Sequence, residues 1–202
     1  SPMGYALEIL RKGVHFGSLI IPASAIFLHR MEMVLILAAL SFGMLIVDII
    51  RSRNKVFRKF FLGLFGKVLR GKEQDGGMTA STVLMASAAL TILLFRTEIA
   101  VSALVFLSVG DSFAALVGKK FGRTVLVSGR TLEGSLAALL SCLLVSMPLL
   151  SISSARGWAL SPLALAAGAV AATLAELFEI PLDDNLRIPI IAGLVMEMVM
   201  PG

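Results

Sequence analysis

The residues best suited to chemistry lie between Gly110 and Ala137, where acids, cations and glycines interrupt apolar sequence. Asp111 stands inside an apolar segment, and a glycine-rich basic loop follows it before the sequence Thr-Leu-Glu-Gly-Ser at 131–135. Glycines let backbone N–H groups approach a ligand closely, and such groups beside cations bind anions. A nearby carboxylate suits Mg²⁺ carried by a polyphosphate, because Mg²⁺ takes one or two carboxylates besides phosphate oxygens. The stretch therefore predicts a nucleotide site at a membrane face, with cations from Lys119, Lys120, Arg123 and Arg130 and with Arg187 as a further candidate.

Composition places the chain among membrane proteins. Apolar residues make up 57% of the 202 residues and charged residues only 15%, and the mean hydropathy is +0.93. Such values exclude an ordinary soluble domain, and the length suits one bundle over 1–202. The lone Cys142 excludes a disulfide framework. The lysines and arginines behind the net charge of +5 flank apolar segments and form no soluble basic face, so we expect no nucleic-acid partner. No cleavable signal is expected, and Ser1-Pro2 before Met3 is interpreted as an expression remnant.

The elements that must position these residues are apolar segments of transmembrane length. Most are near the lower limit for crossing a bilayer, about 17 to 25 residues. The last, at 188–200, would be about 20 Å long as a helix, so a full crossing and a half-span both stay open. We therefore predict an all-α, polytopic integral membrane bundle of six to seven transmembrane helices. The segments lie at roughly 14–28, 33–50, 79–95, 99–117, 136–152, 162–180 and 188–200.

The stretch at 51–72 is different, because apolar residues recur at helical spacing with cations between them. This pattern is typical of a basic amphipathic helix in the lipid headgroup layer. A cytoplasmic extension of the second span, packed on the bundle, is the alternative. Counted with a cytoplasmic N-terminus, the inside holds all of the 18 lysines and arginines except Arg30, Arg96 and Arg156. The bias predicts that the loop after Asp111 lies in the cytoplasm.

Several acids are expected at membrane depth, where ionisable residues are costly and mark functional sites. Asp111 shares a helix face with Ala114, Ala115 and Gly118, and Glu176 lies on a comparable small-residue face, so both should point into the bundle. Each has a structural alternative. Asp111 could form an ion pair with a lysine, Glu176 and Glu179 could be interfacial helix-end charges, and His15 could simply be packed.

Four motifs resemble the CTP-dependent lipid kinase family, which contains dolichol, phytol and farnesol kinases and the yeast-type CTP-dependent diacylglycerol kinase. The central motif is Gly-Asp at 110–111 through Gly-x-x-x-Gly at 118–122, followed by Thr-x-Glu-Gly-Ser. Glu-x-x-Arg-Lys-x-x-His at 8–15 and Asp-Asp-Asn-Leu-x-Ile-Pro at 183–189 agree with it, and Thr-Ala-Ser at 79–81 resembles a Thr-Gly-Ala element of the family. Arg130 stands where many members carry lysine, and the two residues grip phosphate differently.

This resemblance implies transfer of the γ-phosphoryl group of CTP to the hydroxyl of a membrane lipid at the cytoplasmic face, with Mg²⁺ as cofactor. Such chemistry consists mainly of positioning and charge neutralisation. Asp111, Glu133 and Asp184 are the candidate catalytic and metal-binding residues, with Asp111 also a candidate base. The expected phosphate- and nucleotide-binding residues are Gly118, Lys119, Lys120, Gly122, Arg130, Thr131, Gly134, Ser135 and Asn185. Further candidates are Arg11, Lys12, His15, Asp48, Glu176 and Glu179.

The acceptor and the reaction class have alternatives. An isoprenoid alcohol of the polyprenol, phytol or dolichol type is the first choice, and diacylglycerol is the second. A phosphatidate cytidylyltransferase also uses CTP in a small polytopic chain, but we would expect a different, aspartate-rich C-terminal signature. A small transporter is the non-enzymatic alternative, although broken helices at mid-membrane would be expected for it.

Overall fold

The computed structural model describes residues 2–69, 71–127, 129–178 and 180–200. Helices form most of these residues, and β structure among them is limited to one isolated antiparallel bridge between Val125 and Thr131. The all-α prediction is therefore confirmed. The helices are α1 (Pro2–Phe16), α2 (Ile20–Ala25), α3 (Arg30–Arg53), α4 (Lys55–Phe65), α5 (Gly71–Gln74), α6 (Ala80–Leu94), α7 (Thr97–Phe121), α8 (Leu132–Arg156), α9 (Pro162–Leu177) and α10 (Asp184–Val199).

Three of these helices, α3, α7 and α8, are long and apolar enough to cross a membrane. Two further apolar helices, α6 and α9, are shorter, with 15 and 16 residues, and α10 has 16. The structure is thus compatible with a membrane protein. Among the described residues it has three helices of spanning length, where the sequence predicted six or seven spans.

The first predicted span, at roughly 14–28, is not a single helix. α1 already begins at Pro2, and the chain passes through a 3₁₀ turn at Gly17–Leu19 before α2. Pro22 has no N–H to donate to the Ser18 carbonyl, which interrupts the α-helical hydrogen bonding at this point. The charged residues at 8–15, expected in a turn, are therefore helical.

α7 lies at the centre of the bundle, and every residue from Ile99 to Ser112 is buried. It packs against α1, α2, α6, α8, α9 and α10. Its apolar window is 83% buried, compared with 17% in α3 and 33% in α8. A helix that is apolar on all sides belongs in a core, whereas the exposed apolar faces of α3 and α8 suit contact with lipid.

Glycines bring α7 and α8 close together at the end of α7. A Cβ atom on Gly118 would lie 3.0 Å from Thr131 Oγ1, and one on Gly134 would lie 2.7 Å from the Ala114 carbonyl oxygen. Thr131 caps α8 by accepting a hydrogen bond from the Gly134 N–H at 3.2 Å. The predicted helix start at 131–135 is therefore confirmed, although α7 runs on to Phe121 and does not end at Gly118.

The basic stretch at 51–72 divides into more than one helix. α3 ends at Arg53, and Asn54 has an extended backbone whose side-chain oxygen accepts from the Phe57 N–H and caps α4. α4 is therefore a separate helix and not a continuation of α3. It ends at Phe65, several residues earlier than the amphipathic pattern indicated, and Arg70 lies outside the described residues.

Candidate functional site

Asp111 is buried in α7 and bound by α1. The Lys12 Nζ lies 2.5 Å from Asp111 Oδ2, and the His15 Nε2 lies 3.4 Å from the same oxygen. Only 7% of Asp111 and 6% of Lys12 are exposed. The inward orientation expected for Asp111 is what the structure shows. Its pairing with a lysine, which the sequence left as the structural alternative, is also present, and the lysine comes from the other end of the sequence.

α1 is fixed on the bundle by its charged face. Arg11 Nε donates to the Val68 carbonyl oxygen at 3.1 Å, and its NH2 donates to that of Leu69 at 3.0 Å. Glu8 lies 4.0 Å from Arg11 and 3.3 Å from the Lys119 Nζ of α7. The spacing of the motif at 8–15 thus places its charged residues toward α7 and the segment after α4.

A second charged cluster forms around Arg130, in the loop before α8. Its NH1 lies 2.7 Å from Glu176 Oε1, and its NH2 lies 3.0 Å from Asp184 Oδ2. Partial burial favours loss of its proton, but the carboxylates of Glu176 and Asp184 outweigh this effect and raise the pKa of Arg130 above its usual value. The cluster joins the α7–α8 loop to α9 and α10, and Arg130 remains charged at any physiological pH.

Arg187, a further candidate for phosphate binding, is committed elsewhere. It is 2% exposed and donates to the carbonyl oxygens of Ala175 at 2.7 Å and Leu182 at 2.8 Å, and it also pairs with Asp184. These contacts satisfy carbonyl groups where α9 ends and α10 begins. Its role in the structure is to hold that connection, and the expectation that it faces phosphate is not met.

One cavity, here called the α1 cavity, has a volume of about 330 Å³. Its polar lining includes the Lys12–Asp111 pair, so the buried carboxylate has access to an open space. Its apolar lining comes from α1, α2 and α6 and from the segment that follows α4. The polar residues are Glu8, Arg11, Lys12, His15, Ser18, Glu73, Thr79, Ser81, Asp111, Asp184 and Asn185, and the apolar ones include Val14, Ile20, Ile21, Val68, Leu69, Leu84 and Met85.

A second cavity, the loop cavity, has a volume of about 250 Å³ at the junction of α7, α8 and the loop that joins them. Two buried donors that line it, Arg130 Nε and Ser135 Oγ, have no hydrogen-bond acceptor among the described residues. Buried polar groups are normally paired, so unpaired donors beside a cavity indicate a ligand with acceptor atoms. The lining residues are Glu8, Ala114, Ala115, Gly118, Lys119, Gly129, Arg130, Thr131, Gly134, Ser135 and Glu176.

The backbone N–H groups near this cavity are less available than the sequence suggested. The Gly122 N–H donates to the Gly118 carbonyl at 2.9 Å, and the Gly134 N–H donates to Thr131 Oγ1. The Leu132 N–H donates to the Thr124 carbonyl at 2.9 Å. The expected anion cradle of free N–H groups is therefore not present at Gly122 and Gly134. The glycines serve close helix packing, and side chains supply the open donors.

Two other candidates lie outside both cavities. Glu133 is turned toward the loop, with both carboxylate oxygens 3.3 Å from the Thr124 N–H. The Lys120 Nζ lies over the aromatic rings of Tyr5 and Phe121, at 5.8 and 5.1 Å from their centroids. Neither side chain is placed for the metal or phosphate role expected of it, whereas Lys119 lines the loop cavity.

Asn185 lines the α1 cavity at the start of α10. Its side-chain amide donates to Asp183 Oδ1 at 2.9 Å, and its backbone carbonyl oxygen accepts from the Ser87 hydroxyl at 2.6 Å. These bonds fix the N-terminus of α10, where Asp184 reaches both the cavity and Arg130. Glu179, another candidate, lies outside the described residues.

Asp48 belongs to a separate cluster between α3 and α6. Its carboxylate accepts from the Thr79 N–H at 2.9 Å, from the Thr79 and Thr82 hydroxyls at 3.1 and 2.7 Å, and from Arg51 at 3.1 Å. Arg51 also donates to the carbonyl oxygens of Glu73 and Gly77. This network fixes the start of α6, which is where the Thr-Ala-Ser motif lies.

The acids of the site can be tested for a fit to Mg²⁺. Across the part of the chain that the structure describes, no group of three His, Cys, Asp or Glu residues is placed to hold a metal ion. Asp111 and Asp184 both line the α1 cavity, and Glu133 does not. Two carboxylates fit a Mg²⁺ ion that arrives on a polyphosphate, although they do not make a complete protein cage.

Comparison with known proteins finds a relative that is similar over most of the chain. The Uncharacterized protein RP860 of Rickettsia prowazekii (strain Madrid E) is 30% identical over 190 residues, which are 92% of this chain and 91% of that protein. The chain belongs to the family of this Rickettsia protein. No protein-family model matches the chain, and no solved structure matches it. The relative has no described activity, so function must be argued from the site.

Proposed function

We propose that the chain is a CTP-dependent kinase that transfers the γ-phosphoryl group to the hydroxyl of a membrane lipid alcohol, with an isoprenoid alcohol as the first choice. The observation that carries the proposal is the pair of unpaired buried donors, Arg130 Nε and Ser135 Oγ, on the loop cavity, which shares Glu8 with the cavity that Asp111 lines. A ligand with several anionic oxygens would satisfy both donors. Preference for CTP over other nucleotides rests on the sequence resemblance.

The loop cavity suits the phosphates. Arg130 and Lys119 supply positive charge, and the Ser135 hydroxyl supplies a neutral donor at the first turn of α8. A helix N-terminus favours anions, which adds to the effect of these side chains. Hydrogen bonds to an anionic phosphate are charge-assisted, and Arg130 Nε and Ser135 Oγ have no other acceptor among the described residues to give up for them.

The α1 cavity suits the lipid alcohol. Val14, Ile20 and Leu84 give it apolar walls, while Asp111 gives it a buried carboxylate. An uncharged alcohol suits these walls, because Arg11 and Lys12, two cations of the lining, are already held by carbonyl and carboxylate groups, whereas a lipid phosphate would require free cations. Asp111 can then accept the hydroxyl proton or share the Mg²⁺ of the nucleotide with Asp184.

The cations of the site are paired with acids of the same site. Lys12 binds Asp111, Lys119 binds Glu8, and Arg130 binds Glu176 and Asp184. Exchange of these partners explains how one cluster serves both charges of a magnesium nucleotide. The cations turn to phosphate oxygens, and the released carboxylates become available to the metal.

In the bilayer, we propose six to seven crossings with this site on the cytoplasmic side. The positive-inside bias supports it, as does the placement of the three remaining arginines. Arg30 donates to the Ile92 carbonyl, Arg156 donates to that of Ile26, and Arg96 pairs with Glu197. These contacts lie at the starts of α3 and α7 and the ends of α6, α8 and α10, whereas Arg130 and Asp184 lie at the starts of α8 and α10.

Cysteine labelling tests this topology. Single cysteines near Gly122 and near Ser154 should react with membrane-impermeant reagents from opposite sides of sealed vesicles. Labelling of both from the same side would remove the crossing by α8 and the cytoplasmic placement of the site.

The reaction itself is tested by following the label of γ-³²P-CTP with purified protein, Mg²⁺ and a panel of lipid alcohols. A kinase places the label in the organic phase as a lipid monophosphate and releases CDP. A cytidylyltransferase attacks the α-phosphorus, so the label would leave as pyrophosphate and cytidine would join the lipid. Equal or better turnover with ATP would contradict the CTP assignment while leaving the kinase assignment standing.

A further inference from the structure

α4 has two apolar faces, and the protein partly covers one of them. Phe57 and Phe61 lie on the inner face with ring centroids 6.2 Å apart, and the Phe65 ring follows at 4.9 Å from Phe61. The Arg51 guanidinium lies 5.3 Å from the Phe61 ring centroid. These contacts attach α4 to the end of α3.

The outer face of α4 is exposed, apolar and bordered by lysines. Val56, Phe60 and Leu64 recur every four residues and are 80%, 65% and 62% exposed. Lys55 and Lys59 are exposed on the same helix. An exposed apolar stripe beside ammonium groups matches the boundary between acyl chains and anionic headgroups. The apolar side chains can contact the acyl chains while the lysines contact the headgroups.

α4 is also connected to the wall of the α1 cavity. Arg58 Nε donates to the Gln74 carbonyl at 3.0 Å, and the Gln74 amide donates to the Leu69 carbonyl at 3.2 Å. Leu69 lines the cavity and accepts from Arg11, the neighbour of Lys12 in α1. A continuous set of contacts thus runs from the outer helix to the residue that binds Asp111.

We propose that the outer face of α4 binds anionic lipid headgroups, and that this binding holds the wall of the α1 cavity in its competent position. The binding stands on the geometry of α4 alone, whereas its effect on turnover rests on the proposed kinase function. The exposed apolar side chains and the lysines beside them favour a lipid surface. A second copy of the chain on the same stripe is an outcome that the test distinguishes.

Tryptophan quenching by brominated lipid tests the binding. The full chain carries Phe60→Trp with Trp158→Phe and is placed in nanodiscs with equal mole fractions of brominated anionic or brominated neutral lipid. The anionic lipid should quench several-fold more strongly, because each lysine near the surface enriches it about fivefold. Equal quenching by both lipids would overturn selectivity for anionic lipid. Quenching by neither would overturn the membrane position and indicate a protein partner.

Matched variants assign the effect to α4. Adding Lys55→Gln with Lys59→Gln should abolish the preference for the anionic lipid, whereas Lys55→Arg with Lys59→Arg should retain it. Asp75→Trp, at an exposed residue of the adjoining polar turn, is the positional control and should be quenched weakly by both lipids. A preference that survives the glutamine variant would show that α4 is not its source.

Turnover in the same nanodiscs tests the coupling. With the lysines intact, turnover should rise several-fold in anionic over neutral lipid, and the glutamine variant should lose this rise. Selective quenching with equal turnover in both lipids would overturn the coupling. Selective quenching with no phosphorylated lipid under any composition would contradict the kinase proposal and leave the lipid-binding surface standing.

Discussion

Two buried carboxylates in this molecule, Asp48 and Asp111, each pair with a cation, and they differ in access. At Asp48 the carboxylate accepts four hydrogen bonds, and its Arg51 partner is fully buried. At Asp111 the carboxylate is bound mainly by Lys12, and it lines a cavity. Burial of an ionisable group in a membrane-type bundle is therefore insufficient as a sign of function. Arg51 Nε is also unpaired among the described residues, but Asp48 and Arg51 line neither cavity, so access to open space is what separates the site from the structural network.

Asp111→Asn is expected to have the largest effect of the changes considered, and it tests the open cluster. An amide cannot take the proton or share the Mg²⁺ of a nucleotide, so turnover should fall at least about a hundredfold. The measurement is ³²P transfer from CTP to lipid, per amount of monodisperse protein.

A double variant separates catalysis from ion pairing. Asp111→Asn also leaves Lys12 buried without its partner, which lowers stability. Adding Lys12→Met removes that charge and should restore thermal stability but not turnover. If the double variant regains activity, the pair is structural and Asp111 has no catalytic role.

Asp48→Asn tests the closed cluster and should reverse the pattern. The asparagine NH2 group would face other donors, at Thr79, Thr82 or Arg51. The buried positive charge of Arg51 would also lose its counter-charge. Breaking one partner of a buried pair costs about 3–5 kcal/mol, so the midpoint of denaturant unfolding in detergent should fall clearly. Turnover per folded molecule should stay near the parent value, and a selective loss of turnover would place Asp48 in the site.

Ser135→Ala should give the smallest effect and sharpen the comparison. Its hydroxyl has no acceptor among the described residues, so the free energy of unfolding should change by less than about 1 kcal/mol. A hydrogen bond to phosphate would be lost, and the KM for CTP should rise about tenfold.

Ser146→Ala is the matched control on the same helix. Its hydroxyl donates to the Cys142 carbonyl at 2.8 Å and lies away from both cavities, so the KM should not change. If both variants leave the KM unaltered, the loop cavity does not hold the phosphates.

The sequence predicted the individual residues of the site better than their partners. Small residues beside Asp111 and Glu176 indicated that both point inward, and Thr131 indicated the start of α8. The Lys12–Asp111 pair joins residues 99 positions apart, and no local pattern specifies such a contact. The spacing of Arg11, Lys12 and His15 on one helical face was the available signal, but it was obscured because this stretch was expected to be a turn.

Other differences arise from competition for the same groups. Glycines in the loop indicated free N–H donors, but the backbone and Thr131 take them, and close packing of two helices is the reason for the glycines. Arg187 indicated a phosphate contact by charge alone, whereas carbonyl groups at the α9–α10 connection required its donors. The sequence shows that a cationic side chain is present, but it does not show which acceptor that side chain binds.

The close approach of α7 and α8 has a practical consequence for labelling chemistry. Cys142 is fully buried, and a Cβ atom on Gly110 would lie 2.9 Å from its sulfur. A maleimide or methanethiosulfonate reagent has no space to reach that thiol in the folded bundle. Cysteines introduced elsewhere can therefore be read against the natural background, without first replacing a residue whose removal would open a void between the two helices.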